Sequence, residues 1–169
     1  ENYVLTWEAM TPITNAGALH TAISIENAHM TTQYLDGFGR RLQTVSKGVS
    51  PLGKDLVAPF TYDEFGREVR KYLPYVAGES NGLFKAVDPF GSQMAFYNTR
   101  LSGQDEQESS TGRPWSYGKT VFEASPLNRP TEVFAPGKSW VGSNAATSEA
   151  NRKSVKTKYL VNTTADAVR

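Results

Sequence analysis

Phe60-Thr61-Tyr62-Asp63-Glu64-Phe65-Gly66-Arg67-Glu68-Val69-Arg70-Lys71-Tyr72-Leu73-Pro74 is the stretch against which the rest of the chain is read. Glu64, Phe65 and Gly66 separate Asp63 from Arg67, and both flanks carry β-branched or aromatic residues, so the stretch predicts a hairpin with a three-residue loop. The usual backbone for that length is a type I turn followed by a left-handed residue, which Gly66 adopts without a Cβ clash. Asp63 stands first in the turn, where its carboxylate accepts a local backbone N–H, and it lies opposite Arg67 across the strand pair.

The same chemistry occurs earlier, in Tyr34-Leu35-Asp36-Gly37-Phe38-Gly39-Arg40, with Asp36, Gly39 and Arg40 in the places of Asp63, Gly66 and Arg67. A later copy, Ala124-Ser125-Pro126-Leu127-Asn128-Arg129, has no Asp, yet each change suits the turn. Ser125 makes a weaker side-chain turn, Pro126 presets φ at the next position, and Asn128 tolerates the left-handed region better than most residues. Positive φ is therefore expected at Gly39, Gly66 and Asn128. Pro74 and Pro136 each fall seven residues after the motif arginine, which suggests a common length for the outgoing strand.

A Tyr-Asp-x-x-Gly-Arg turn followed by a strand and a proline resembles the YD repeats of the bacterial rearrangement-hotspot (Rhs) family. Gln33 to Arg40, Lys71-Tyr72-Leu73-Pro74-Tyr75, Phe122 to Arg129 and Val155-Lys156-Thr157-Lys158-Tyr159 occur in order. Together they resemble the domain of unknown function that precedes the repeats in many Rhs-type proteins of Gram-negative bacteria using type IX secretion. The resemblance covers most of the chain. It implies a β-rich, secreted or cell-surface structural module and supplies no catalytic residue.

Composition sets the outer limits. A chain of 169 residues with 38% hydrophobic content predicts one domain, 1–169, with a modest core. Mean hydropathy is −0.47, and no apolar run approaches the roughly 20 residues of a membrane helix. Glu1 reads as a mature or fragment start, so the chain is expected to be part of a larger protein. The absence of cysteine excludes disulfides, thiolate zinc sites and a cysteine nucleophile. Eighteen basic and seventeen acidic residues are interspersed, giving a formal charge of +1 with no clustered positive face for a phosphate backbone, so nucleic acid is not an expected partner.

Along the chain, Glu1 to Leu5 predicts a strand, 11–17 a loop, and His20 to His29 a strand or short helix. His20 and His29 are nine residues apart, a poor repeat for gathering metal ligands on a helix or a strand. Thr31 to Val45 predicts the first hairpin, with Tyr34 opposite Leu42, Thr32 opposite Thr44, and Gln33, Arg41 and Gln43 on a wet reverse face. A loop through Pro51 and Gly53 leads into the central hairpin. Gly78-Glu79-Ser80-Asn81-Gly82 matches a nucleophile elbow, but Pro74 and Pro89 confine its flanks and both histidines precede Ser80, so it reads as a loop. Asp88-Pro89-Phe90-Gly91 allows either another hairpin turn or a short helix near 89–98, with Asp88 as cap and Pro89 first. The polar segments 101–113 and 142–153 predict mobile loops of little regular structure. Tyr117 to Phe134 predicts the third hairpin and Val155 to Asn162 a last strand.

The expected fold is thus mainly β: antiparallel hairpins in a curved open sheet with one short helix at most. The expected role is a non-enzymatic shell module that encloses or presents a C-terminal effector. Its expected partners are further YD repeats of the same chain or a neighbouring subunit, and effector cargo, with no cofactor and no membrane span. A binding or adhesion module is the alternative, with Trp7, Trp115 and Trp140 as platforms for a surface glycan or protein.

Overall fold

The computed structural model describes residues 2–20, 24–85, 89–100 and 115–163. Among them, β1 (Asn2–Ala9), β2 (Ala28–Leu35), β3 (Arg41–Ser46), β4 (Leu56–Pro59) and β6 (Tyr75–Val76) form one open sheet in that order. β5 (Arg70–Tyr72), β7 (Tyr117–Phe122), β8 (Pro130–Phe134) and β9 (Val155–Lys156) form a second. All pairings are antiparallel. A five-residue helix, α1 (Ala16–His20), precedes β2, and a longer one, α2 (Pro89–Arg100), follows β6. The mainly β, open, antiparallel reading of the sequence holds, with two sheets in place of one.

The central stretch is the corner between those sheets and not a hairpin within one of them. Its tip is closed, because Asp63 N–H donates to the Arg67 carbonyl at 3.0 Å. Its base is closed too, where Val57 faces Tyr75 and Leu56 faces Val76. Between tip and base the arms part: β4 lies against β3, and β5 lies against β7 with Tyr72 opposite Tyr117. Pro59 and Pro74 have no N–H to give to a ladder, and Phe60 N–H goes to the Leu42 carbonyl at 3.0 Å.

In the first hairpin the register differs from the expected one by a residue. Tyr34 faces Gln43 and Thr32 faces Val45, with a bulge that leaves Leu42 without an opposite number before Leu35 meets Arg41. A one-residue slip exchanges the faces of a strand. Gln43, expected on the wet side, is therefore 1% exposed, and Leu42 faces solvent. Burial of an amide needs partners. Gln43 finds both in the backbone of Lys85, accepting its N–H at 2.8 Å and donating to its carbonyl at 3.1 Å. Buried Asp55 ties down the same segment, accepting from Gly48 N–H at 3.0 Å, Gly82 N–H at 2.8 Å and Lys85 Nζ at 2.8 Å.

Two small cores result. Tyr34, Val45, Val57 and Tyr75 of the first sheet pack with Tyr97 of α2, and Tyr117, Phe134 and Val141 pack with Tyr72 and Trp115 in the second. Helix α2 reaches both. Phe90 sits 4.6 Å from the Tyr72 ring, Gln93 Nε2 donates to the Leu73 carbonyl at 2.5 Å, and Tyr97 Oη donates to the Pro74 carbonyl at 2.8 Å. Leu73 and Pro74 are where the chain passes from β5 to β6, so the helix clamps the crossover. Of the two structures open to the stretch after Asp88, the helix forms; the Asp88 cap itself lies outside the described residues.

Two late segments differ from their readings. The last strand is short: only Val155–Lys156 is regular, followed by Thr157 N–H donating to the Thr131 carbonyl at 2.9 Å. Beyond that point the ladder stops: Pro130 lacks an N–H and its carbonyl accepts Tyr159 Oη at 3.2 Å, while the Arg129 carbonyl accepts from Glu123 N–H. The 142–153 segment holds two 3-10 turns, Val141–Ala145 and Glu149–Asn151. Its anchors stand at its ends, with Val141 fully buried and Arg152 bound to Glu132 through Nε at 2.5 Å and Nη2 at 2.6 Å. The 101–113 segment lies outside the described residues.

Candidate functional site

Three turns stand side by side at the junction of the sheets. Asp36 Oδ1 accepts the N–H groups of Phe38 (2.8 Å) and Arg40 (2.9 Å), and Oδ2 accepts Arg40 Nε at 2.7 Å. Asp63 repeats this with Phe65 (3.0 Å), Arg67 N–H (2.9 Å) and Arg67 Nε (2.8 Å). Gly39 and Gly66 have φ of 78° and 75°. Asn128 occupies the same place in the third turn with φ of 51°, where Asn is among the few chiral residues tolerated.

The third turn also has a carboxylate, supplied from outside the turn. Glu123 accepts Arg129 Nε and Nη2, each at 2.9 Å, and Ser125 Oγ at 2.5 Å, while Leu127 N–H donates to Ser125 Oγ at 3.2 Å. Ser125 thus accepts the first of the two backbone N–H groups that the aspartates accept, and Glu123 takes the arginine. Glu123, six residues before Arg129, stands opposite it across the hairpin, its N–H donating to the Arg129 carbonyl at 3.0 Å, because the bulge at Thr131 shifts the β7–β8 register by one residue. A glutamate two residues before the serine was the only signal in the sequence.

The titration of these carboxylates reflects their bonds. At Asp36 and Asp63 burial is the largest effect and opposes ionisation, but the backbone N–H and guanidinium of Arg40 or Arg67, with the N–H of Phe38 or Phe65, outweigh it and lower the pKa. Arg129 and then Ser125 hold Glu123 at about 2, below its ordinary 4.5. Arg152 first, with Ser154 assisting, holds Glu132 at about 2 against the opposing effect of burial.

Arg40 and Arg67 are each also stacked between two aromatic rings, the outer one supplied by the next turn in the row, and Arg129 lies over a single ring. Arg40 lies over Phe38 of its own turn at 5.3 Å and over Tyr62 of the second at 4.8 Å. Arg67 lies over its own Phe65 at 4.9 Å and over Phe122 of the third at 4.8 Å, and its Nη1 donates to Asn128 Oδ1 at 2.8 Å. Arg129 lies over Tyr159 at 4.4 Å. Tyr62 and Phe122 each immediately precede the carboxylate of their own turn. The result is a directional ladder, in which every arginine faces forward along the chain; it runs from the first sheet into the second and ends on Tyr159. Phe38, Phe65 and Leu127 project as an exposed apolar row at the tips.

The loop through Pro51 and Gly53 is a fourth turn of this class. In Ser50-Pro51-Leu52-Gly53-Lys54, Ser50 N–H donates to the Lys54 carbonyl (3.1 Å), Gly53 N–H to the Ser50 carbonyl (2.8 Å), and Lys54 N–H to Ser50 Oγ (2.8 Å). Gly53 has φ of 67°. The residues match Ser125-Pro126-Leu127-Asn128-Arg129 in type at four positions, and at the fifth Gly53 and Asn128 share positive φ. This turn joins β3 to β4, at the opposite end of β3 from Arg40.

Other candidate residues are dispersed. Ser80 sits in an irregular segment, and helix α2 begins only at Pro89 instead of directly behind it as an elbow requires. His29 faces Glu8 across β1 and β2, and His20 belongs to α1. Among the described residues no group of three or more His, Asp or Glu side chains is gathered for a metal, and no helix is long and apolar enough to cross a membrane. Trp115 packs into the second core, Trp7 is half-buried on β1, and Trp140 is half-exposed, so the tryptophans do not form one platform.

A family model described as a domain of unknown function (DUF6443) matches residues 5–154, a span that contains all four turns. No curated protein and no solved structure matches. The chain belongs to the DUF6443 family.

Proposed function

We propose that this domain is a non-enzymatic structural module of a secreted or cell-surface Rhs/YD-repeat protein, contributing to a β-sheet shell that encloses or presents a C-terminal effector. The observation that carries the reading is the forward-facing ladder. Each of the first two turns is completed by an aromatic of the next and the third by Tyr159, so the row is suited to extension, and this last ring stands three residues past β9, the strand at the outer edge of the second sheet. An edge strand presents unpaired N–H and C=O groups that recruit another strand. The lysines that would guard this edge are partly engaged, since Lys156 Nζ is paired with Glu149 at 2.5 Å. Val155, Leu160 and Val161 are exposed beside it.

Tyr159→Ala, made in the full-length natural protein, tests the role. A shell module loses its seam with the following strands, so an enclosed segment becomes cleavable by added protease while the fold of this domain, read by circular dichroism, is retained. Unchanged protease resistance would refute the role as a shell.

A further inference from the structure

The loop that follows β6 carries an Asn-Gly pair, Asn81-Gly82, whose reactive groups already touch a carboxylate base and two oxyanion donors. The fold needs glycine at the second position, since Gly82 has φ of 69° and a Cβ there would collide with Met30. The buried Gly82 N–H donates to Asp55 Oδ2 at 2.8 Å, and Asp55 is itself fully buried. Asn81 is exposed, yet its side-chain amide is held at both ends. Its Oδ1 accepts Leu83 N–H at 3.0 Å and Lys85 Nζ at 2.6 Å, and its Nδ2 donates to Glu79 Oε2 at 3.1 Å. Lys85 Nζ also donates to Asp55 Oδ2 at 2.8 Å and Glu79 Oε2 at 3.3 Å, which joins the four side chains into one network.

We propose that Asn81-Gly82 is a self-modifying site, at which the Gly82 nitrogen closes on Asn81 Cγ to form a succinimide that water opens to an isoaspartyl or aspartyl linkage. The attack is intramolecular between adjacent residues, and glycine puts no side chain in its way. A peptide nitrogen is a poor nucleophile while it keeps its proton, and the Asp55 carboxylate stands on that proton as general base. The N–H lies in the peptide plane and the attacking orbital is perpendicular to it, so the bond to Asp55 leaves the approach to Cγ open. As the N–Cγ bond forms, negative charge develops on Oδ1, where Leu83 N–H and the Lys85 ammonium already donate. The intermediate collapses by breaking the Cγ–Nδ2 bond. The proton taken by Asp55 returns to Nδ2 along the Asp55–Lys85–Glu79 hydrogen bonds, and ammonia leaves to solvent. Water then adds to the ring at the Asn81 main-chain carbon, giving isoaspartate, or at Cγ, giving aspartate, with no oxidant or reductant involved. The isoaspartyl link lengthens the main chain where Gly82 bonds to Asp55 and where its carbonyl accepts Tyr34 Oη at 3.3 Å, so modification loosens the loop from the first core. The site goes beyond the shell reading and does not depend on it.

Incubating the 169-residue chain and a free peptide of residues 79–85 in the same neutral buffer, followed by peptide mapping with mass spectrometry, separates the effect of the fold from that of the sequence. The chain should lose Asn81 at least roughly tenfold faster than the peptide. It should pass through a species lighter by one ammonia and end as isoaspartyl and aspartyl forms at position 81. Lys85→Met should slow the conversion at least roughly tenfold in a chain whose circular dichroism is unchanged. Ser80→Ala, outside the network, should leave the rate unaltered. Should Lys85→Met fail to fold, the comparison of the unaltered chain with the peptide decides alone. Conversion no faster than in the peptide, a Lys85→Met rate equal to that of the unaltered chain, or a lasting lactam joining Asn81 to Lys85 would overturn the proposal.

Discussion

At the scale of single residues, the turns separate conformational from chemical requirements. Gly66 has φ of 75°, and a Cβ there would also meet Arg40 Nη1 at 3.3 Å, whereas a Cβ at Gly37 meets nothing within 4 Å. Gly66→Val should therefore cost about 1–2 kcal/mol in chemical denaturation, and Gly37→Ala should be neutral or slightly stabilising. The carboxylates set the acid limit. Glu123 and Glu132 have folded pKa values of about 2 against 4.5 ordinarily, so their contribution is fully present above about pH 4.5 and is lost as pH falls toward 2. Thermal melts across that window should show the loss, and Glu123→Gln with Glu132→Gln should flatten it; an unchanged acid limb would contradict the assignment. Asp36, Asp63 and their arginines were legible because the turn rule is local. Glu123 was not, because only the bulge in the β7–β8 pairing sets it opposite Arg129.

At the scale of elements, what ties pieces together is mostly side chain to neighbour, at long separation. Phe122→Leu keeps an apolar residue at β7 but removes the face on which Arg67 rests, and should cost about 0.5–1 kcal/mol. Arg152→Ala removes the bidentate bond to Glu132 and the bond from Nη1 to the Asn144 carbonyl at 2.5 Å. Its loss should cost about 2 kcal/mol, the scale of hydrogen bonds to charged groups, and should make 141–153 the first site of proteolysis. The polar composition of 142–153 suggests a segment with little to bury, and its order comes from Val141 and Arg152 at its limits. The slip in the first hairpin has a similar origin. Alternation predicts that one face of β3 is wet, but the bulge at Leu42 turns Gln43 inward, and the backbone of Lys85, forty-two residues away, makes that tolerable.

At the scale of the molecule, the chain is two small sheets held as one by a corner, a helix and a ladder. Repeated turns in the sequence disclosed the β architecture, yet nothing local says that Phe60–Pro74 divides its arms between sheets, because that choice is made by Tyr117 and its neighbours in β7. The central claim is that the ladder is meant to continue beyond Tyr159. Thr157 N–H bonds back to β8, so the alternation of the ladder directs the amides of Lys156 and Lys158 to the open side. Hydrogen exchange at those two amides, compared between the 169-residue chain and the longer shell polypeptide proposed to contain it, tests the claim most directly. Continuation predicts fast exchange in the isolated chain and protection greater by at least roughly a hundredfold in the longer polypeptide, and equal, fast exchange in both would contradict it.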